Sequence, residues 1–239
     1  MVTNYFTVIF WYDFFDNYMD YFEDLKKLFK NEYDNINILN NEIADETQPV
    51  ISAYNNDLKT NFSFSKIFLQ YSQDNHKFSD FKQFYNKCLE IFNYLEACNI
   101  KVKHTSIIVS LDKQLDLSNE QYLSNMLNND FIDSNIVDFS FKFGKKVDDQ
   151  FYKIIKLFNK KKISIPYITD EKSRKMPIPL ISWKEMEIGE EFYEFNYELN
   201  DKYLFDNEKD YNTTEFYLNK MLYIIENNLE DDLKKIVGK

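Results

Sequence analysis

The side chains that most often carry catalysis are few in this chain and lie far apart. Histidine occurs only as His76 and His104. Nucleophilic catalysis needs a base within hydrogen-bond reach of a hydroxyl or thiol, yet His76 falls in the polar stretch Gln73 to Lys77 and His104 in a β-branched run. The first reads as a solvated loop residue and the second as a satisfied strand residue. Cys88 and Cys98 stand in one expected helix, where a rise of about 1.5 Å per residue separates them by about 15 Å, beyond disulfide reach. Cys88 lies on the apolar stripe of that helix and reads as core. No Cys-x-x-Cys, His-x-x-x-His or glycine-containing calcium loop is present. Asp13, Asp16 and Asp20 gather at the start of an expected helix, where acids complement the dipole without any metal. Gly144, Gly189 and Gly238 are isolated, whereas a loop that cradles phosphate needs glycines close together. Asp133 and Asp138 lie near an expected strand with no Glu-x-Lys on a convincing strand after them, and no histidine follows Arg174. The reading is a non-enzymatic protein with no cofactor and no metal.

Two charged groups remain as candidates for recognition. Lys160, Lys161, Lys162, Lys172, Arg174 and Lys175 form a basic group beside a loop in an acidic chain. Such a group either contacts a polyanion or acidic protein, or is simply a solvated turn. Glu190, Glu194 and Glu198, with Asn196, alternate against aromatic residues. Side chains an even number of residues apart project from one side of a strand, so this row is either a set of spaced negative charges or a plain solvent-facing strand.

The elements that must position these groups follow from periodicity. Val2 to Tyr12 is rich in β-branched and aromatic residues and predicts a buried strand. Asp16 is expected to cap a helix with apolar residues at Met19, Phe22, Leu25, Leu28 and Phe29, ending near Asn31. Pro49 to Tyr54 and Phe62 to Tyr71 read as extended segments around the Asn55-Asn56-Asp57 turn. Ser79 is expected to cap a second helix striped by Phe81, Phe84, Cys88, Phe92 and Leu95, after which Lys101 to Leu111 returns as a strand. This succession predicts an α+β fold whose N-terminal half, 1–112, has the ferredoxin-like βαββαβ order, with helices on one face of an antiparallel sheet.

A second α+β half, 113–239, is expected to pack with the first as one unit. It comprises a short helix from Ser118 to Leu127, a strand from Ile136 to Phe143 ended by a turn at Gly144, and strands over Phe151 to Phe158 and Ile163 to Thr169. A loop from Asp170 to Gly189 holds Pro177 and Pro179. A strand bearing Tyr193, Phe195, Tyr197 and Leu199 on one face then leads to a long helix opened by Asn212 or Thr213. Its residues Leu218, Leu222, Ile225, Leu229, Leu233 and Ile236 form an apolar seam, widened by Phe216, Met221 and Tyr223. Docking of that seam on the chain's own sheet, as a monomer, is preferred over a homodimer.

Composition narrows the class of partner. The 239 residues carry a net charge of −11, and Arg174 is the only arginine. A negative chain with almost no guanidinium forks is poorly suited to reading nucleic acid, and basic proteins are its natural partners. The 44% hydrophobic and 18% aromatic content is ample for a core, which argues against disorder. Met1 to Phe10 contains no Lys or Arg, which argues against a secretory leader, and no run reaches ~18 apolar residues, so no membrane span is expected. With no disulfide expected either, the cytoplasm is the expected compartment. The abundance of Asn, Lys, Ile, Phe and Tyr fits AT-rich coding, as in low-GC bacteria and their phages.

The opening strand, the aromatic helix from Phe81 to Leu95 running into a strand, the Leu115-Asp116-Leu117-Ser118 step and the terminal helix after an aromatic strand together give a pattern. It resembles a sporadically distributed, functionally uncharacterised family of bacterial proteins of about this size, over nearly the full chain. The Pro-, Arg- and Trp-rich features frequent in that family are thin here, and the resemblance assigns no catalytic residue. The expectation is an acidic interaction protein of bacterial or phage origin that binds a basic partner, such as a nucleic-acid-handling defence complex that it inhibits. Two alternatives stand beside it: a nucleic-acid-binding module using the lysine-rich loops with aromatic strand residues, and a small-ligand domain or enzyme with a pocket between sheet and helices.

Overall fold

The computed structural model describes residues 4–14, 35–38, 49–74, 80–113, 140–147, 150–160, 192–201 and 213–237, with isolated positions at 21, 24, 25, 27, 33 and 124. The described residues form an α+β fold of nine strands and two helices. The strands are β1 (Asn4–Tyr12), β2 (Asn35–Ile38), β3 (Ile51–Asn55), β4 (Thr60–Phe64), β5 (Phe68–Asp74), β6 (Val102–Lys113), β7 (Ser140–Val147), β8 (Phe151–Lys160) and β9 (Phe192–Asn200). The helices are α1 (Phe81–Ala97) and α2 (Glu215–Val237). All strands belong to one sheet in the order β2-β3-β4-β5-β1-β6-β9-β8-β7, and every neighbouring pair is antiparallel.

The strands of the two expected halves therefore continue one sheet. The joint is the β6–β9 ladder, in which Val109 faces Tyr197 and Leu111 faces Phe195. Alternation makes that joint: Ile107, Val109 and Leu111 on β6 and Tyr193, Phe195, Tyr197 and Leu199 on β9 are all buried, so pairing the two strands continues one apolar surface.

Both helices lie on that surface. Phe6 packs edge-on against Phe81 at 5.4 Å and Phe10 meets Phe92 at 6.0 Å, so α1 covers β1. Leu218, Met221, Leu222, Ile225 and Leu229 of α2 are buried in the same core, while Phe216 and Tyr223 are exposed. The expected widening of the seam thus holds for Met221 alone, because a helix turning about 100° per residue carries positions 216 and 223 to the far side. Thr214 caps α2, its hydroxyl accepting from the Tyr217 N–H at 3.3 Å.

Several local expectations are corrected. The extended stretch Phe62 to Tyr71 is two strands, β4 and β5, joined at Ser65, whose Oγ accepts from the N–H groups of Ile67 (3.2 Å) and Phe68 (2.9 Å). A serine hydroxyl makes the turn without glycine or proline. Asp80, not Ser79, occupies the N-cap position of α1 and makes no side-chain cap bond. That helix ends where Asn99 adopts φ 59° and Ile100 N–H reaches the Leu95 carbonyl at 2.9 Å, a C-terminal cap with Asn in the left-handed position. Gly144 sits inside β7, opposite Ile154, and is not a turn. The Tyr152 ring lies over it, so that a Cβ there would stand 2.3 Å from the Tyr152 hydroxyl and the ring would have to move aside. The strand expected from Ile136 runs as Ser140–Val147 among the described residues. The short strand β2, absent from the sequence reading, pairs Asn35–Ile38 with β3 at one edge. The expected helices from Asp16 and Ser118 and the strand Ile163 to Thr169 lie outside the described residues, save isolated helical positions and the buried Leu25.

Two buried polar clusters tie the C-terminal elements down. Asp201, just past β9, accepts from the Thr105 N–H at 2.8 Å and the Thr213 hydroxyl at 2.7 Å, and the Thr105 hydroxyl donates to Thr213 at 3.2 Å. All three residues are buried. Lys153 of β8 pairs with Asp232 of α2, with side chains 7% and 13% exposed, and the ammonium also lies 5.6 Å from the Tyr197 ring centroid.

Candidate functional site

The pairing registers place a second set of side chains on the face turned away from the helices. Along β9 these are Glu194, Asn196 and Glu198, each half-buried, as the alternation of the sequence requires. Across the ladders, Asn196 stands beside Ser110 of β6, which stands beside Tyr5 of β1; on the other side Asn196 faces Lys156 of β8 and then Lys142 of β7. One residue pair along, Glu198 lies between Ile108 and Ile154. Ser110 and Ser106 are short, buried side chains of β6, the first between Tyr5 and Asn196 and the second between Ile9 and Asn200.

The carboxylates are held in position. Glu194 accepts from the Ser110 hydroxyl at 3.3 Å and Glu198 from the Asn200 amide at 3.0 Å, while the Asn196 amide donates to the Tyr5 hydroxyl at 3.4 Å. These bonds fix the orientation of the acids on a rigid strand, so little rotamer freedom is lost when a partner binds them. Glu194 and Glu198 lie about 13 Å apart along the strand. Lys156 is the diagonal neighbour of both, at about 7–8 Å, and divides the negative row into two separate charges.

Further along the same face, Trp11 is stacked on His104, with ring centroids 5.4 Å apart and planes 12° from parallel, and Trp11 also meets Phe68 at 5.2 Å. His104 thus stands on a strand, as expected, and packs against the Trp11 ring. Asp13 forms an ion pair with Lys103 at 3.0 Å, and Asp16 and Asp20 lie outside the described residues. Among the described residues no group of three or more His, Cys, Asp or Glu is placed to hold a metal ion. Behind the acidic row, on the helix side, burial raises the Tyr197 hydroxyl above its ordinary pKa, and the Asp232 carboxylate adds to the shift.

No known family model matches this chain, and no curated protein matches it.

The sequence candidates divide as follows. Glu194, Asn196 and Glu198 are brought together on one face. Glu190 lies outside the described residues, as do Lys161, Lys162, Lys172, Arg174 and Lys175. Lys160 ends β8, its backbone opposite Phe192. The β7–β8 hairpin gathers Lys142, Lys146 and Lys156 on the face away from the helices, lysines that the sequence analysis does not single out. Its signal in the sequence is the alternation of Lys with Phe, Ile and Leu, which by itself fits any half-buried strand. Tyr5 and the β6 serines are likewise hidden in the sequence, since only the ladders bring them near β9.

Proposed function

We propose that the protein is a non-enzymatic interaction protein of bacterial or phage origin that binds the basic surface of another protein through the face of β9. The observation that carries this reading is the pair of hydrogen-bonded carboxylates, Glu194 and Glu198, flanking Asn196 with aromatic side chains nearby on β1. Fixed charges of one sign complement a partner's cations and speed encounter, and the net charge of −11 extends that field beyond the site. Inhibition of a nucleic-acid-handling defence complex is the role we assign to such binding, in the cytoplasm, with Glu190 extending the row. Within this reading the first half has the ferredoxin-like order, supported by β1 lying between β5 and β6 with the β4–β5 hairpin ahead of α1, and α2 closes the second half. No described helix is long and apolar enough to cross a membrane.

The test uses Glu194→Gln/Glu198→Gln, which keeps acceptors for Ser110 and Asn200 but removes both charges. A partner co-purified from the native host should be retained by the parent, be released progressively as salt rises, and be bound at least about tenfold more weakly by the variant. Equal retention by both proteins, or recovery of nucleic acid in place of protein, overturns the proposal.

A further inference from the structure

Among the described residues the sheet ends at β7, an edge that carries both lysines and an exposed aromatic ring. Ser140 and residues 142–146 are exposed, and Phe143, in the middle of the strand, presents 44% of its surface. Lys142 and Lys146 point to the face away from the helices, and Lys145 to the helix side. Lys142 stands directly opposite Lys156, and Lys145 directly opposite Lys153. Like charges in directly opposed positions destabilise a ladder. Asp232 answers the charge of Lys153, and Glu194 and Glu198 lie diagonally beside Lys156, whereas Lys142 and Lys145 form no ion pair among the described residues.

Edge lysines by themselves ward off other strands. Here they flank an exposed aromatic ring and strain their own ladder, so an incoming strand that brings carboxylates would relieve the repulsion, cover the ring and satisfy the outer backbone groups together. We propose that the outer edge of β7 docks an extended acidic peptide of another protein, which adds to the sheet as a further antiparallel strand. Acids of the peptide on one face meet Lys142 and Lys146, and apolar residues on the other meet Phe141 and Phe143. A second copy of the chain fits poorly, because β7 against β7 sets lysine rows against lysine rows. A nucleic-acid strand would use the charges but not the ladder, and the hairpin offers it no arginine. This inference does not depend on the role given to Glu194 and Glu198.

The probe is a fluorescent, end-capped peptide alternating Glu and Val, titrated against the full chain at about 50 mM salt, where surface charges are only partly screened. Saturable binding is expected, weakened about tenfold or more by Lys142→Glu/Lys146→Glu and lost when alternate amides of the peptide are N-methylated, which removes the ladder bonds and leaves the protein unaltered. Circular dichroism should show the double variant folded, since both side chains are exposed. Absence of saturable binding, equal binding of the N-methylated peptide, tighter binding of a single-stranded oligonucleotide at this edge, or a dimer that buries β7 would each overturn the proposal.

Discussion

Replacing Asp232 by Asn should destabilise the protein far more than an ordinary surface change. The Lys153 ammonium is 7% exposed and Asp232 is its carboxylate partner, so the substitution leaves a positive charge in the interior opposed only by a neutral amide oxygen and the face of the Tyr197 ring. Stranding one member of a buried ion pair costs about 3–5 kcal/mol. At about 2–4 °C per kcal/mol for a chain of this size, the melting temperature should fall by about 6–20 °C. Lys153→Met with Asp232→Leu removes both charges and keeps apolar bulk, so it should lie within about 1 kcal/mol of the parent, or above it. Thermal unfolding followed by circular dichroism reads all three proteins. The reasoning fails if Asp232→Asn melts within about 2 °C of the parent, or if the double variant is as unstable as the single one.

Three other outcomes follow from the same packing. Ile225→Asp should unfold the chain, because Ile225 is fully buried on the seam of α2 and an unpaired carboxylate there costs several kcal/mol; light scattering with circular dichroism checks this, and a folded monomer derived from a dimeric parent would mean that the seam faces another copy. Asp201→Ala should cost about 3 kcal/mol by leaving the Thr105 N–H and Thr213 hydroxyl without their acceptor; a midpoint unchanged in urea would refute it. Burial raises the hydroxyls of Tyr12 and Tyr197 and the Cys88 thiol above their ordinary pKa values. Unfolding releases those protons more easily, so the stability these neutral groups contribute is complete below about pH 9 and is lost as pH climbs from there toward the raised values of the folded state. Phenolate absorbance should therefore rise together with loss of helical signal, and Tyr197→Phe should move that transition to higher pH; phenolate appearing in fully folded protein in proportion to all tyrosines would contradict it.

The parts of the fold that repeat within a strand or helix were legible in the sequence. Tyr193, Phe195, Tyr197 and Leu199 announce the buried side of β9 by alternation, and therefore place Glu194, Asn196 and Glu198 on the other side. Phe81, Phe84, Cys88, Phe92 and Leu95 do the same for α1. What depends on pairing between distant segments was not legible. Ser110 reaches Glu194 across 84 residues, and nothing near either one in sequence signals it. Gly144 misled because local propensity associates glycine with turns, while pairing with Ile154 across the hairpin places it inside a strand beneath the Tyr152 ring. Ser65 was missed because its turn is closed by a side-chain oxygen instead of a glycine. Asp201 carries no signal in its own stretch of sequence, and only the β6–β9 joint makes it a buried acceptor.

The central claim, that β9 presents its acids to another protein, is tested most directly at position 156. Lys156 faces Asn196 between the two carboxylates and is half-exposed, so a photoreactive diazirine analogue of lysine there keeps the charge and reports what touches the face. Irradiation in the native host should give a discrete protein adduct whose partner is basic at the cross-linked surface, and Glu194→Gln/Glu198→Gln should abolish that adduct. Cross-linking to nucleic acid, or the same adduct at full yield with both carboxylates neutralised, would contradict the account.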